Sequence, residues 1–84
     1  MIEIDASELE TMELDGLQLP LVDLNHLDLP PRQLQLQGKI FNYVQSYPLK
    51  GYAAIAPKDV LAILQRGGSI LFGERGPRLY LYQA

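Results

Sequence analysis

Residues 31–48, PRQLQLQGKIFNYVQSYP, decide the fold because they support two incompatible readings. Leu36, Ile40, Tyr43, Val44 and Tyr47 follow one another at intervals of four, three, one and three, the apolar stripe of an amphipathic helix. Pro31 suits a first helical turn and Pro48 forbids continuation, so the spacing predicts a helix over about Arg32–Ser46. Gly38 within it costs about 1 kcal/mol relative to Ala. The competing reading is a strand from Lys39 to Tyr47, a run rich in β-branched and aromatic residues.

Downstream, Leu49 to Gly51 reads as a turn, and Tyr52-Ala53-Ala54-Ile55-Ala56 as a short buried strand or a tight connector. Pro57 to Arg66 carries a fuller set of helix signals. Pro57 pre-sets the first turn, Asp59 lies near the positive end of the dipole, Val60, Ile63 and Leu64 form an apolar face, and Gly67-Gly68 stop the helix. A hairpin follows, with Ser69–Phe72 and Arg78–Tyr82 as strands around a Gly73–Pro77 loop. Alternation sets Leu79 and Leu81 toward a core and Tyr80 and Tyr82 on the opposite face, where they lie under the N-terminal segment or mark a contact surface.

Upstream of Pro30-Pro31 a Leu returns every fifth position, at Leu9, Leu14, Leu19, Leu24, Leu29 and Leu34, each preceded by an acidic or amide residue. A period of five matches neither the 3.6 of a helix nor the 2 of a strand, so one continuous element cannot put all six on one face. The rhythm resembles the pentapeptide-repeat family, whose motif builds a four-sided β-solenoid. That family sets a small residue two positions before the central Leu, whereas this chain has Ser7, Met12, Leu17, Val22, Leu27 and Arg32 there, so no family function is carried over. The plainer reading is a set of short strands or extended stretches, with Leu17, Leu19 and Leu21 alternating, then Leu27 with Leu29 and Leu34 with Leu36, punctuated by Pro20 and Pro30-Pro31. Proline cannot donate to a ladder, which assigns such strands to a sheet edge or to a place outside the sheet. Ile2 and Ile4 read as a further short strand, followed by one irregular turn.

The charge layout divides the chain at the same place. Residues 1–30 carry eight carboxylates and no Lys or Arg, a formal charge of −8, whereas residues 31–84 carry seven cations against two carboxylates, a formal +5. The expected organisation is an acidic Leu-rich arm (1–30) on a basic α+β body (31–84), a single domain overall in a chain of 84 residues. Burying an aliphatic side chain is worth roughly 1.5–3 kcal/mol and a surface ion pair under about 1 kcal/mol, so the arm leucines, not its charges, decide where the arm lies.

Several chemistries are set aside. There is no Cys, so no disulfide framework, thiolate metal site or cysteine nucleophile exists. His26 is the sole imidazole, and no motif surrounds Ser7, Ser46 or Ser69 that would make a nucleophile. The Glu8, Glu10, Glu13, Asp15 run reads as a solvated face, and no cofactor is expected. The start, Met1-Ile2-Glu3-Ile4-Asp5, is acidic where a secretory signal is basic, and no apolar run approaches the roughly 20 residues of a membrane span. A cytoplasmic, non-enzymatic protein without membrane insertion is expected.

The predicted fold class is α+β, a small antiparallel sheet including the C-terminal hairpin, packed against two helices, with the extended acidic arm laid across it or across a partner. The predicted function is a non-catalytic protein–protein interaction module, a small accessory subunit, adaptor or regulator, acting on a protein partner or as a homo-oligomer. Its candidate contacts are Leu17, Leu19, Leu21, Leu27, Leu29, Tyr80 and Tyr82. The alternative is nucleic-acid binding by an arrangement that loosely resembles a winged helix, with Lys58, Arg66, Arg75 and Arg78 as contacts.

Overall fold

The computed structural model describes residues 2–84. In chain order they form β1 (Ile2–Ile4), a 3-10 turn (Ala6–Glu8), β2 (Glu10–Leu14), β3 (Leu17–Asp23), β4 (Gln33–Leu36), β5 (Lys39–Pro48), α1 (Tyr52–Gln65), β6 (Ile70–Arg75) and β7 (Arg78–Gln83). The strands build one sheet in the order β1-β4-β5-β7-β6-β3-β2, a mixed half-barrel that is parallel at β1·β4 and β3·β6 and antiparallel elsewhere. This corrects the expected fold class in both of its parts. The sheet is neither small nor antiparallel, and it packs against one helix rather than two. Nor is the acidic segment an extended arm laid across the body, because it supplies β1, β2 and β3 to the sheet itself.

The stretch 31–48 is a hairpin. Gln37 and Gly38 both have positive φ, 52° and 81°, the twist-matched two-residue turn that joins β4 to β5. Its helical spacing has a specific origin. In β5 the register slips between Tyr43 and Gln45, leaving Val44 as a bulged residue. Phe41 therefore packs on one face of the sheet and Tyr47 on the other, and the interrupted alternation reads as a period near 3.6.

Helix α1 begins five residues earlier than the proline suggested, so Pro57 stands inside it and Tyr52–Ala56 is helical instead of a strand or connector. Its end follows the glycine signal. Gly67, at φ 79°, donates to Leu64 O at 3.0 Å and Gly68 to Ile63 O at 3.0 Å, the paired bonds of a Schellman stop. The pentad leucines do not build a solenoid, since Asp15 and Gly16, with φ of 52° and 83°, turn residues 10–23 into a hairpin. Against the expected place at an edge or outside the sheet, β3 lies between β2 and β6; it tolerates Pro20 because Pro20 faces Thr11 in a pair that exchanges no hydrogen bond with β2 and the ladder to β6 begins only at Leu21.

The chain forces the sheet to curl. β1 and β2 are its two edges, yet only Asp5–Leu9 joins them. Seven strands laid flat span about 29 Å at roughly 4.8 Å per gap, while the six steps from Ile4 to Glu10 reach at most about 20 Å. Curling creates two faces. Ala56, Val60 and Ile63 of α1 close over Leu14, Leu19, Tyr47, Ile70, Phe72, Leu79 and Leu81. The other face holds Ile4, Val22, Leu24, Leu34, Phe41, Leu71, Tyr80 and Tyr82, with Leu9 and Leu27 packed against it. Strands β6 and β7 are central and apolar on both faces, as their unbroken runs Ile70-Leu71-Phe72 and Leu79-Tyr80-Leu81-Tyr82 require.

Candidate functional site

The tyrosine face is closed by irregular chain, and that closure leaves one end open. Residues 24–31 pass over the sheet as a strap held by polar ties to the β6–β7 turn. Leu24 N donates to Glu74 O at 2.8 Å, and Gly76 N donates to Asn25 Oδ1 at 2.7 Å. Arg75 Nε donates to Leu27 O at 2.9 Å, while its Nη2 donates to Asp28 O. Asp23 Oδ1 accepts from both Asn25 N and Asn25 Nδ2, which holds its carboxyl below the usual carboxylate range. Beyond these ties Tyr82 OH donates to Pro31 O at 2.7 Å. Burial raises the Tyr82 pKa to about 12, so the phenol stays a donor.

Past Pro31 the chain rejoins the sheet as β4, and an open groove of about 1030 Å³ lies beside that junction. Pro30, Pro31 and Arg32 form one wall, Ile2 of β1 lies on its border, and Tyr43, Tyr80, Gln33 and Asn42 complete the lining. The wall is anchored twice, through Tyr82 OH on Pro31 O and through Tyr43 N, which donates to Arg32 O at 2.9 Å. Tyr43 meets Tyr80 at 6.2 Å between ring centroids and Tyr82 at 6.0 Å, tilted and edge-on, within the range of attractive aromatic pairs. Gln33 Nε2 donates to Asn42 Oδ1 at 2.8 Å across the β4·β5 ladder. Tyr43 is 44% exposed and Leu29, beside the wall, 77% exposed.

The sequence-derived candidates scatter over this architecture. Leu17, Leu19 and Leu21 pack on the helix-covered face. Leu27, Tyr80 and Tyr82 belong to the tyrosine face, with Tyr82 fully buried and Tyr80 reaching the groove. Of the leucines, only Leu29 stands free. Among the basic candidates, Arg75 is bonded to the strap and Arg78 donates through Nε and Nη2 to Ser46 Oγ at 3.2 and 2.9 Å. Lys58 and Arg66 are exposed in and just after α1. His26 lies with Glu8 and Asp23 around a second, smaller depression of about 350 Å³. Among the described residues no group of three or more His, Asp or Glu is placed to hold a metal ion, and no helix is long and apolar enough to cross a membrane.

The groove residues themselves, Pro30, Pro31, Arg32, Gln33, Asn42 and Tyr43, escaped the sequence reading because it wound residues 32–46 into a helix. A signal was present in Pro30-Pro31, which ends one alternating run and begins another. The chain matches no protein-family model, and no curated protein and no solved structure matches it either.

Proposed function

We propose that this chain is a non-catalytic protein–protein interaction module, an accessory subunit, adaptor or regulator, and that it docks partners in the groove between Pro30–Arg32 and Tyr43. The observation that carries the reading is the groove, an open concavity of prolyl, aromatic and polar side chains with an anchored wall, in which Tyr43 is exposed and next to whose Pro30 the chain exposes Leu29. Concave apolar surfaces rimmed by polar groups are characteristic of interaction sites. The lining favours binding over turnover, because its polar groups are two amides, one guanidinium and phenols, with no imidazole or carboxylate to move a proton. A reducing, cytoplasmic setting suits a chain without cysteine and belongs to the same proposal.

The test compares the wild-type chain with a Leu29→Glu/Tyr43→Glu variant by light scattering and by affinity recovery from the source extract. Wild type should retain a partner that the variant loses, with both chains equally folded by circular dichroism. Equal recovery by both, or recovery by neither with both monomeric, would overturn the reading.

A further inference from the structure

We infer that the groove takes an extended, proline-containing peptide that carries a carboxylate. This rests on the docking reading above and adds the chemistry of the partner. Three features of the lining point the same way. The rings of Pro30, Pro31, Tyr43 and Tyr80 form an apolar trough, and segments in the polyproline II conformation dock into aromatic-lined grooves by laying prolyl rings on such surfaces. A segment of that kind has no internal hydrogen bonds, so its carbonyls seek external donors. The Gln33–Asn42 pair supplies them, since the bond from Gln33 Nε2 to Asn42 Oδ1 leaves the two Asn42 Nδ2 hydrogens and the second Gln33 Nε2 hydrogen unspent in the lining.

The third feature is charge. Arg32 is the one charged side chain in the lining, and among the described residues its guanidinium makes no hydrogen bond or salt bridge. Its backbone is fixed by Tyr43 N on Arg32 O, and both residues line the groove. A guanidinium recognises a carboxylate through two parallel hydrogen bonds, which makes an acidic side chain adjacent to proline the complementary ligand. A nucleic acid fits less well. The chain carries net charge −3, the groove offers one cation, and Arg75 and Arg78 are bonded to Leu27, Asp28 and Ser46. The anchored wall needs no rearrangement to receive the segment, which limits the ordering cost of binding to the peptide.

The test is fluorescence anisotropy with labelled (Pro-Pro-Glu)n, (Pro-Pro-Lys)n and Gly-Ser peptides of equal length, and with an oligothymidylate. Saturable binding of (Pro-Pro-Glu)n is expected, at least about tenfold tighter than of (Pro-Pro-Lys)n, and Arg32→Glu should invert that order without changing the melting temperature. Tyr43→Ala should weaken binding by at least about tenfold. If it unfolds the chain, Asn42→Ala, an exposed position, should also weaken binding, with amide shift changes confined to residues 30–33 and 42–43. The inference is overturned if (Pro-Pro-Glu)n binds no better than the lysine or Gly-Ser peptide, if Arg32→Glu leaves the order unchanged, or if oligothymidylate displaces the peptide. Failure of every peptide while partner recovery still depends on Leu29 and Tyr43 would discard the ligand chemistry and leave the docking reading standing.

Discussion

The two faces of the sheet are sealed by different means. One is covered by a helix whose Ala56, Val60 and Ile63 meet aliphatic and aromatic surface, with Tyr47 OH donating to Asp59 Oδ2 at 2.5 Å as a polar tie. The other is covered by a turn and a strap that bring in Leu9, Leu24 and Leu27 and are held down by hydrogen bonds from Arg75, Gly76 and Tyr82. A helix presents a continuous stripe and covers the centre of its face, with Met12, Leu17 and Leu21 half-buried at the margin. A strap follows its tethers, and beside the last of them, at Pro31 and Arg32, the surface opens into the groove. The contrast teaches that a face closed by a strap stays open where the strap rejoins the sheet.

Substitutions should separate the two modes, beginning with the largest effect. Phe72→Ala, fully buried beneath α1, should cost about 3–5 kcal/mol in urea unfolding and expose helix and sheet amides together. On the strap side, Gly73 has no side chain because Leu24 lies on it. A Cβ there would press into Leu24 Cδ1, lie 3.1 Å from Leu24 Cγ and sit 3.4 Å from Tyr82 Cε1. Gly73→Ala should therefore cost about 1–3 kcal/mol, and combining it with Leu24→Ala should cost less than the sum of the two. Additive losses in that double variant would mean Leu24 is free to move aside.

Arg75→Ala removes two charge-assisted bonds to strap carbonyls and should cost about 1.5–3 kcal/mol. Its signature is local. Hydrogen exchange should rise at Leu24 and Leu27, whose amides bond to Glu74 O and Leu24 O, and stay unchanged in α1. Protection lost equally in α1 would dissolve the distinction between the faces.

The pH response sharpens the comparison with the smallest effects. Both buried phenols lose protons less readily when folded: Tyr82 chiefly through burial, and Tyr47 through burial, its bond to Asp59 and that carboxylate's charge. A folded pKa raised above 10 means that the unfolded chain releases its proton first. Stability is then whole below about pH 10 and falls as pH rises toward 12, which Tyr82→Phe should flatten. At the acid end Asp23 is held below its usual range by Asn25, and Asp5 by Ser7, so their contribution is present above about pH 4 and fades as pH falls further; Asp23→Asn should reduce that slope in a chemical-denaturation series, leaving the share of Asp5.

Legibility in the sequence followed the locality of the cause. The β6–β7 hairpin, the Gly67-Gly68 stop, the short β1 with an irregular turn and the opposed Leu and Tyr faces of β7 all follow from residues within a few positions of one another. The hairpin over 33–48 did not, because the bulge at Val44 transfers the apolar set from one face to the other halfway along β5, and a phase shift in a period of two imitates a helix. The pentad of leucines misled in a related way. Leu14 and Leu19 serve the helix face, Leu24 and Leu34 the tyrosine face, and Leu29 neither, so spacing in sequence carried no common direction in space. The groove needed β1, β4, β5, β7 and the strap to converge, a meeting no local pattern encodes.

The five residues between β1 and β2 act as a hoop around staves, binding the first stave to the last. A protease nick between Ala6 and Ser7 would cut no ladder bond, yet it would free both rims to spread, and a three-residue rim strand has little grip of its own. The resistance of this sheet to flattening is thus stored in one short length of chain at its mouth, far in sequence from the central strands it keeps bent.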